Sequence, residues 1–168
     1  MQFEIRPLTP EEYPILEDFL YEAIFIPEGI TPPPREIIRQ PELQVYIREF
    51  GTSPHDRALG AIAEGRVIGA VWVRIMDDYG HVDAQTPSFA ISLYPAFRGQ
   101  GIGTALMQSM LAELKGAGYR QASLSVQKEN YAARMYRKLG FRTIAETDEE
   151  YLMVYDLTGQ PDAASGIC

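Results

Sequence analysis

Three glycines at alternate positions, Gly99, Gly101 and Gly103, stand where an apolar stretch of strand character gives way to a helical pattern, in FAISLYPAFRGQGIGTALM (Phe89 to Met107). Glycine leaves backbone N–H groups uncovered, and at a helix start those amides point outward without an intrahelical acceptor. The partial positive charge of the helix start adds to them, so the junction is suited to an anion such as a phosphate. Arg98 precedes the turn, and its guanidinium is available for charge support.

Three common phosphate-binding patterns fail. The P-loop needs GxxxxGK[ST], which the chain lacks. The dinucleotide fingerprint needs GxGxxG after a first strand, whereas these glycines run GxGxG in mid-chain. A kinase glycine loop is followed by HRD and DFG, and neither occurs.

A fourth pattern fits. RGQGIG (Arg98 to Gly103) matches R/Q-x-x-G-x-G/A, with a strand ending at Leu93 and Pro95 before it and an amphipathic helix after it. Further on comes another strand and then ENYAARMYRKLGF (Glu129 to Phe141), which sets Asn130 near a short helix, Tyr136 on it, and KLGF leading into a strand. On these motifs and the order of elements from Gln2 to Leu157, the chain resembles the GNAT superfamily of N-acetyltransferases. Asn130 lies six residues before Tyr136, one fewer than in many members.

The resemblance implies acetyl-CoA as co-substrate, no metal, and direct acetyl transfer to a primary amine of a small molecule or peptide. It implies that amides of Arg98, Gly99, Gln100, Gly101, Ile102, Gly103 and Thr104 hold the pyrophosphate, and that Asn130 contacts the cofactor. It also implies that the fourth and fifth strands splay apart, so that the backbone of Ile91 to Leu93 bonds the pantetheine arm as it would an added strand. An amide near Leu93 then polarises the thioester carbonyl, and Tyr136 gives a proton, or at least a hydrogen bond, to the departing thiolate. The competing reading is a non-catalytic acyl-CoA-binding sensor or partner module. Transfer of a longer acyl group is a second enzyme alternative.

A general base for the amine is open among Glu28, Asp77, Asp78 and Asp83, each in a loop bordering the acceptor side, and His81 has the pKa for the task. His55 reads as a surface residue and Trp72 as core. No G-x-S-x-G supplies a nucleophile, and two separated histidines with one cysteine, Cys168, make no metal set.

Around these residues the pattern predicts a strand at Gln2–Arg6, a helix started by Thr9, Pro10 and Glu12 and closed by Pro27 and Gly29, and a Pro-rich segment with a helix over Glu42–Phe50. A hairpin follows, Ala58–Ala63 with Val67–Met76, where Gly69 marks a bulge or close packing. The acidic loop Asp77–Gln85 leads to a strand at Ser88–Tyr94. A helix to about Lys115 buries Ile102, Leu106, Met110 and Leu114, and Gly116 and Gly118 stop it. A strand at Ala122–Val126, a short helix capped by Asn130 with Ala132, Met135, Tyr136 and Leu139 inward, and strands at Phe141–Glu146 and Tyr151–Leu157 complete the order. That order predicts a three-layer α/β fold, a mixed, mainly antiparallel sheet with helices on both faces, of the acyl-CoA N-acyltransferase kind. Residues 1–158 read as one GNAT-like domain and 159–168 as a disordered tail.

The 168 residues are 46% apolar and 23% charged, as in an ordinary globular protein. A net charge of −8 argues against nucleic acid and suits a cationic small molecule or peptide. No membrane span or signal peptide is read, so the expected address is cytoplasmic. A homodimer is compatible with the sequence.

Overall fold

Strand alternation and helical periodicity resolve into seven strands and four α-helices in a computed structural model that describes residues 2–159. The proposed tail beyond Gly159 lies outside the described residues. In chain order these are β1 (Glu4–Pro7), α1 (Leu16–Glu22), α2 (Pro41–Gln44), β2 (Arg57–Ala63), β3 (Arg66–Arg74), β4 (Ser88–Leu93), α3 (Ile102–Gly116), β5 (Gln121–Gln127), α4 (Ala132–Leu139), β6 (Arg142–Glu146) and β7 (Glu150–Asp156). They form one sheet in the order β1-β2-β3-β4-β5-β7-β6. Every pairing is antiparallel except that of β4 with β5, which run parallel.

Helices cover both faces, which bears out the three-layer expectation. On one face α3 buries Ile102, Leu106, Met110 and Leu114 as its spacing predicted, together with Met107 and Leu111. These pack with Phe89 and Leu93 of β4, Leu124 of β5, Tyr136 of α4 and Phe141. Each such side chain contributes roughly 1.5–3 kcal/mol on burial. On the other face Leu16, Phe19 and Leu20 of α1 join Ile38, Tyr46, Trp72 and Met76 in a second cluster. Trp72 is a core residue, fully buried, with Nε1 donating to the Tyr46 carbonyl at 3.1 Å.

Both readings of Gly69 hold. The β2–β3 register shifts between Ala61 and Ile62, opposite Gly69 and Val67. A Cβ at Gly69 would also come within 2.0 Å of Leu93 Cδ2 on the neighbouring strand. The missing side chain therefore seats Leu93 at the end of β4.

Two helices depart from expectation. The first begins as a 3-10 turn over Pro10–Ile15 before α1, because Pro14 lacks the N–H that an α-helical turn would use. The Glu12 carboxylate still takes the Thr9 N–H at 2.8 Å, as the capping reading required. The helix expected over Glu42–Phe50 is only α2, followed by turns. Its later carbonyls are claimed from across the fold: Val45 and Arg48 accept from Arg74 Nη1 at 3.2 and 2.8 Å, and Tyr46 accepts from Trp72.

Arg74 is held in turn by a bidentate pair with Asp56, at 3.1 and 3.0 Å, in which the side chains are 10% and 1% exposed. Asp56 also accepts the Gly51 N–H at 2.9 Å, so this pair fixes the whole 45–56 segment against β3. Removing one partner of a buried ion pair strands the other charge, which costs about 3–5 kcal/mol. Asp56→Ala is expected to lose that much stability in urea unfolding, and a loss below about 1 kcal/mol would contradict the assignment.

Candidate active site

The glycine turn is built by backbone handedness. After a 3-10 turn at Pro95–Phe97, Gly99 and Gly101 take φ of +74° and +84°, in the left-handed region, and Gly101 is the residue that opens α3. A Cβ at either would meet nothing within 4 Å, so the outer side of the loop is open. Ala105 N–H bonds the Gly101 carbonyl at 3.2 Å. The amides of Ile102, Gly103 and Thr104 precede that first helical bond and have no intrahelical acceptor. With Gly99 and Gln100 they make up a turn whose outer side is open, at the positive end of α3.

Arg98 is engaged elsewhere than expected. Its Nε donates to the Leu93 carbonyl at 3.3 Å, and Nη2 donates to the Glu22 carbonyl and carboxylate at 3.2 and 3.1 Å. The Glu22 carboxylate, at the end of α1, is the nearer anion. The guanidinium thus braces the loop against α1 and is not free.

Among the described residues, strands β4 and β5 meet at one register pair, Ser88 with Ser123, where Ser123 N–H donates to the Pro87 carbonyl at 3.0 Å. Beyond it they part. Antiparallel pairing directs alternate residues of a strand to opposite neighbours. Tyr94 N–H reaches back to Ile68 on β3 at 3.1 Å, so Ile91 and Leu93 direct their backbone groups toward β5, where no ladder remains to receive them. The gap therefore has on its β4 side a strand edge, the Ile91 backbone and the Leu93 N–H, that runs into the glycine turn, while the Leu93 carbonyl is taken by Arg98 Nε.

The parting point is clamped by the acidic loop. Ser88 Oγ donates to Asp78 at 3.0 Å, and Ser123 Oγ donates to the Gly80 carbonyl at 2.6 Å. A Cβ at Gly80 would stand 3.2 Å from the backbone of Leu124 and Ser125, so only glycine lets the loop lie this close to β5.

Tyr136 is buried on α4, 7% exposed, in the cluster that holds Leu93 and Ile102, with its ring 5.9 Å from that of Phe141. Its hydroxyl makes no hydrogen bond among the described residues. Burial pushes its pKa up to about 12. Asn130 caps α4 as expected, its Oδ1 accepting the Ala132 N–H at 2.9 Å. A Cβ at Gly103 would lie 4.0 Å from Met135, so the starts of α3 and α4 are neighbours.

The base candidates separate. Glu28 and Asp77 are exposed. Asp83 is tied into its own turn by the Gln85 N–H and the Thr86 hydroxyl, which lower its pKa. His81 Nδ1 donates to the Met76 carbonyl at 2.9 Å, and His55 Nδ1 bonds the Tyr119 hydroxyl at 2.6 Å. Asp78 has its pKa raised by burial, and its carboxylate accepts from Ser88 Oγ at 3.0 Å at the parting point of the strands, so it is a clamp. Glu150 stands apart from these loops, at the start of β7, where the register pairs it with Gln127 and Gln127 Nε2 donates to it at 3.0 Å, a relation no local pattern displays.

The chain matches the acetyltransferase (GNAT) family model over residues 20–141. It is 36% identical over 93 residues to a mycothiol acetyltransferase of Saccharomonospora viridis, a match that spans 53% of this chain and 30% of that protein's length. An uncharacterized N-acetyltransferase of Mycobacterium tuberculosis is 31% identical over 118 residues, 65% of this chain and 72% of that one. Among solved structures, an N-acetyltransferase from Staphylococcus aureus superposes with a TM-score of 0.69 at 18% identity, covering 94% of this chain and 99% of that one. The PaiA N-acetyltransferase of Thermoplasma acidophilum, solved with coenzyme A, does so with a TM-score of 0.66 at 21% identity, covering 93% and 99%. At such identities these structures share the fold, while the family model and the mycobacterial relative carry descent. The chain belongs to the GNAT family of acetyltransferases.

Proposed function

We propose that this chain is an acetyl-CoA-dependent N-acetyltransferase, one GNAT domain acting in the cytoplasm on a primary amine of a small molecule or peptide. The observation that carries the reading is the edge of β4 that parts from β5 and leads into the open glycine turn, with Tyr136, its ring buried, in the adjoining cluster. These residues fit the donor: the turn presents amides to a pyrophosphate, and Ile91 and Leu93 present a strand edge to an amide-bearing arm. Acetyl-CoA supplies an acyl thioester whose carbonyl an amine can attack.

The chain's own groups then have defined tasks. The amides of Gly99 to Thr104 anchor the diphosphate, and the backbone of Ile91 and Leu93 aligns the arm. The Leu93 N–H, directed into the gap, polarises the reacting carbonyl. Tyr136 holds its proton at every pH below about 12, so it serves as a donor and not as a base. Full transfer from such a phenol to a thiolate of ordinary pKa is uphill by about 5 kcal/mol. Tyr136 therefore acts first through a hydrogen bond to the departing sulfur and releases its proton late.

Tyr136→Phe is expected to lower kcat about 100-fold while leaving stabilisation by acetyl-CoA intact, read from CoA release with an amine panel and from thermal shift. An unchanged kcat would remove Tyr136 from the chemistry and favour the binding-module reading. Complete absence of thermal stabilisation by acetyl-CoA would sink both readings, since a ligand of the folded state must raise stability. Gly101→Ala places a Cβ at φ +84°. It is expected to cost about 1–2 kcal/mol of stability and to raise KM for acetyl-CoA with little change in KM for the amine.

A further inference from the structure

Beside the gap, on the face opposite α3 and α4, a cavity of about 160 Å³ is lined by Tyr79, Ser125, Glu146, Glu150, Tyr151 and Leu152, among others. Its wall at Ser125 belongs to β5, past the point where that strand leaves β4. Two of its groups are satisfied. Glu146 pairs with Lys128 at 3.4 Å, and the Tyr151 ring already carries Lys128 and Arg137 at 5.2 and 4.6 Å.

Two are not. Glu150 is half-buried, and Gln127 Nε2 holds one of its oxygens at 3.0 Å, but it forms no ion pair among the described residues. Tyr79 stands 57% exposed with no cation over its ring among the described residues. A carboxylate lacking a counter-charge and an uncovered aromatic face on one small cavity are both completed by an organic ammonium. Register then gives the spacing. Glu150 sits across β5 from the gap, two strand spacings or about 10 Å from the β4 edge, so its side chain must reach back over β5 toward the reacting amine.

We propose that the cavity is the second subsite of the acceptor, and that the acceptor is a primary amine bearing another cationic group, held by Glu150 and Tyr79. The proposal rests on the acetyltransferase reading. It assigns Glu150 to substrate selection, and the proton of the attacking amine is no part of it. The volume is enough for a short aliphatic cation.

The test uses 1,4-diaminobutane and butylamine as acceptors with the full chain. Wild type is expected to favour the diamine about tenfold in kcat/KM, through KM. Glu150→Gln is expected to abolish that preference by raising KM for the diamine with kcat within about twofold, and to leave butylamine unchanged. Tyr79→Ala, at an exposed ring, is expected to reduce the preference in part, and it remains informative should Glu150→Gln fold poorly. Calorimetric titration of 1,4-diaminobutane into the CoA-loaded protein reads the subsite without turnover, and loss of that binding in Glu150→Gln supports it. Equal use of both amines, a preference untouched by both variants, or no diamine binding would overturn the subsite. CoA release with butylamine would meanwhile leave the acetyltransferase reading standing, whereas that reading fails separately if acetyl-CoA gives no thermal shift.

Discussion

A single parallel bridge between β4 and β5 governs the rest of this structure. Had the ladder continued past Ser88 and Ser123, the backbone of Ile91 and Leu93 would be satisfied within the sheet, and no extended arm could lie there. Instead Ser88, Ser123, Asp78 and Gly80 tie the strands at their point of divergence, with hydrogen bonds of 2.6 to 3.0 Å. The clamp stops the strands from separating further, and Gly80 against the β5 backbone stops the loop from lifting. An unpaired edge in mid-sheet is otherwise a liability. Here the neighbouring pairings, β3 with β4 and β5 with β7, are long and regular, and they hold the two walls in place.

Much of the glycine turn and of the helices beside it was legible because their determinants are local. A left-handed turn before a helix requires glycine at fixed positions, so Gly99 and Gly101 announce it in the chain. The apolar stripe of α3 and the capping Asn130 obey the same short-range logic. Leu93 was readable as the end of a strand. Its seat over Gly69 depends on the β3–β4 register, which no local pattern displays.

The rest was hidden for the complementary reason. The helix expected after Glu42 fails because Arg74 and Trp72, distant in sequence, draw its carbonyls away. Arg98 looked free until α1 brought Glu22 beside it. Asp78 could not be told from Asp77 or Asp83 by composition, and only burial among Ser88 and Tyr46 marks it as a clamp. Glu150 lies in an acidic turn that reads as solvated surface, and its direction is fixed by pairing across two strands.

The two apolar clusters divide these tasks between the faces of the sheet. Tyr136 and the start of α3 rest on one cluster, and Trp72, Tyr46 and α1 rest on the other, with the parted strands between them. Substitutions in the segment pinned by Asp56 and Arg74 can therefore reshape one face without moving the glycine turn, which leans on the opposite core. The few links that cross, such as Arg98 to Glu22 and Ser92 to the Phe19 carbonyl, join α1 to the end of β4. They are where a change on the α1 face would be felt by the strand edge. The high pKa of Tyr136 follows from the same division: it sits deep in the α3 cluster, away from the acidic loops, so burial alone sets its proton affinity.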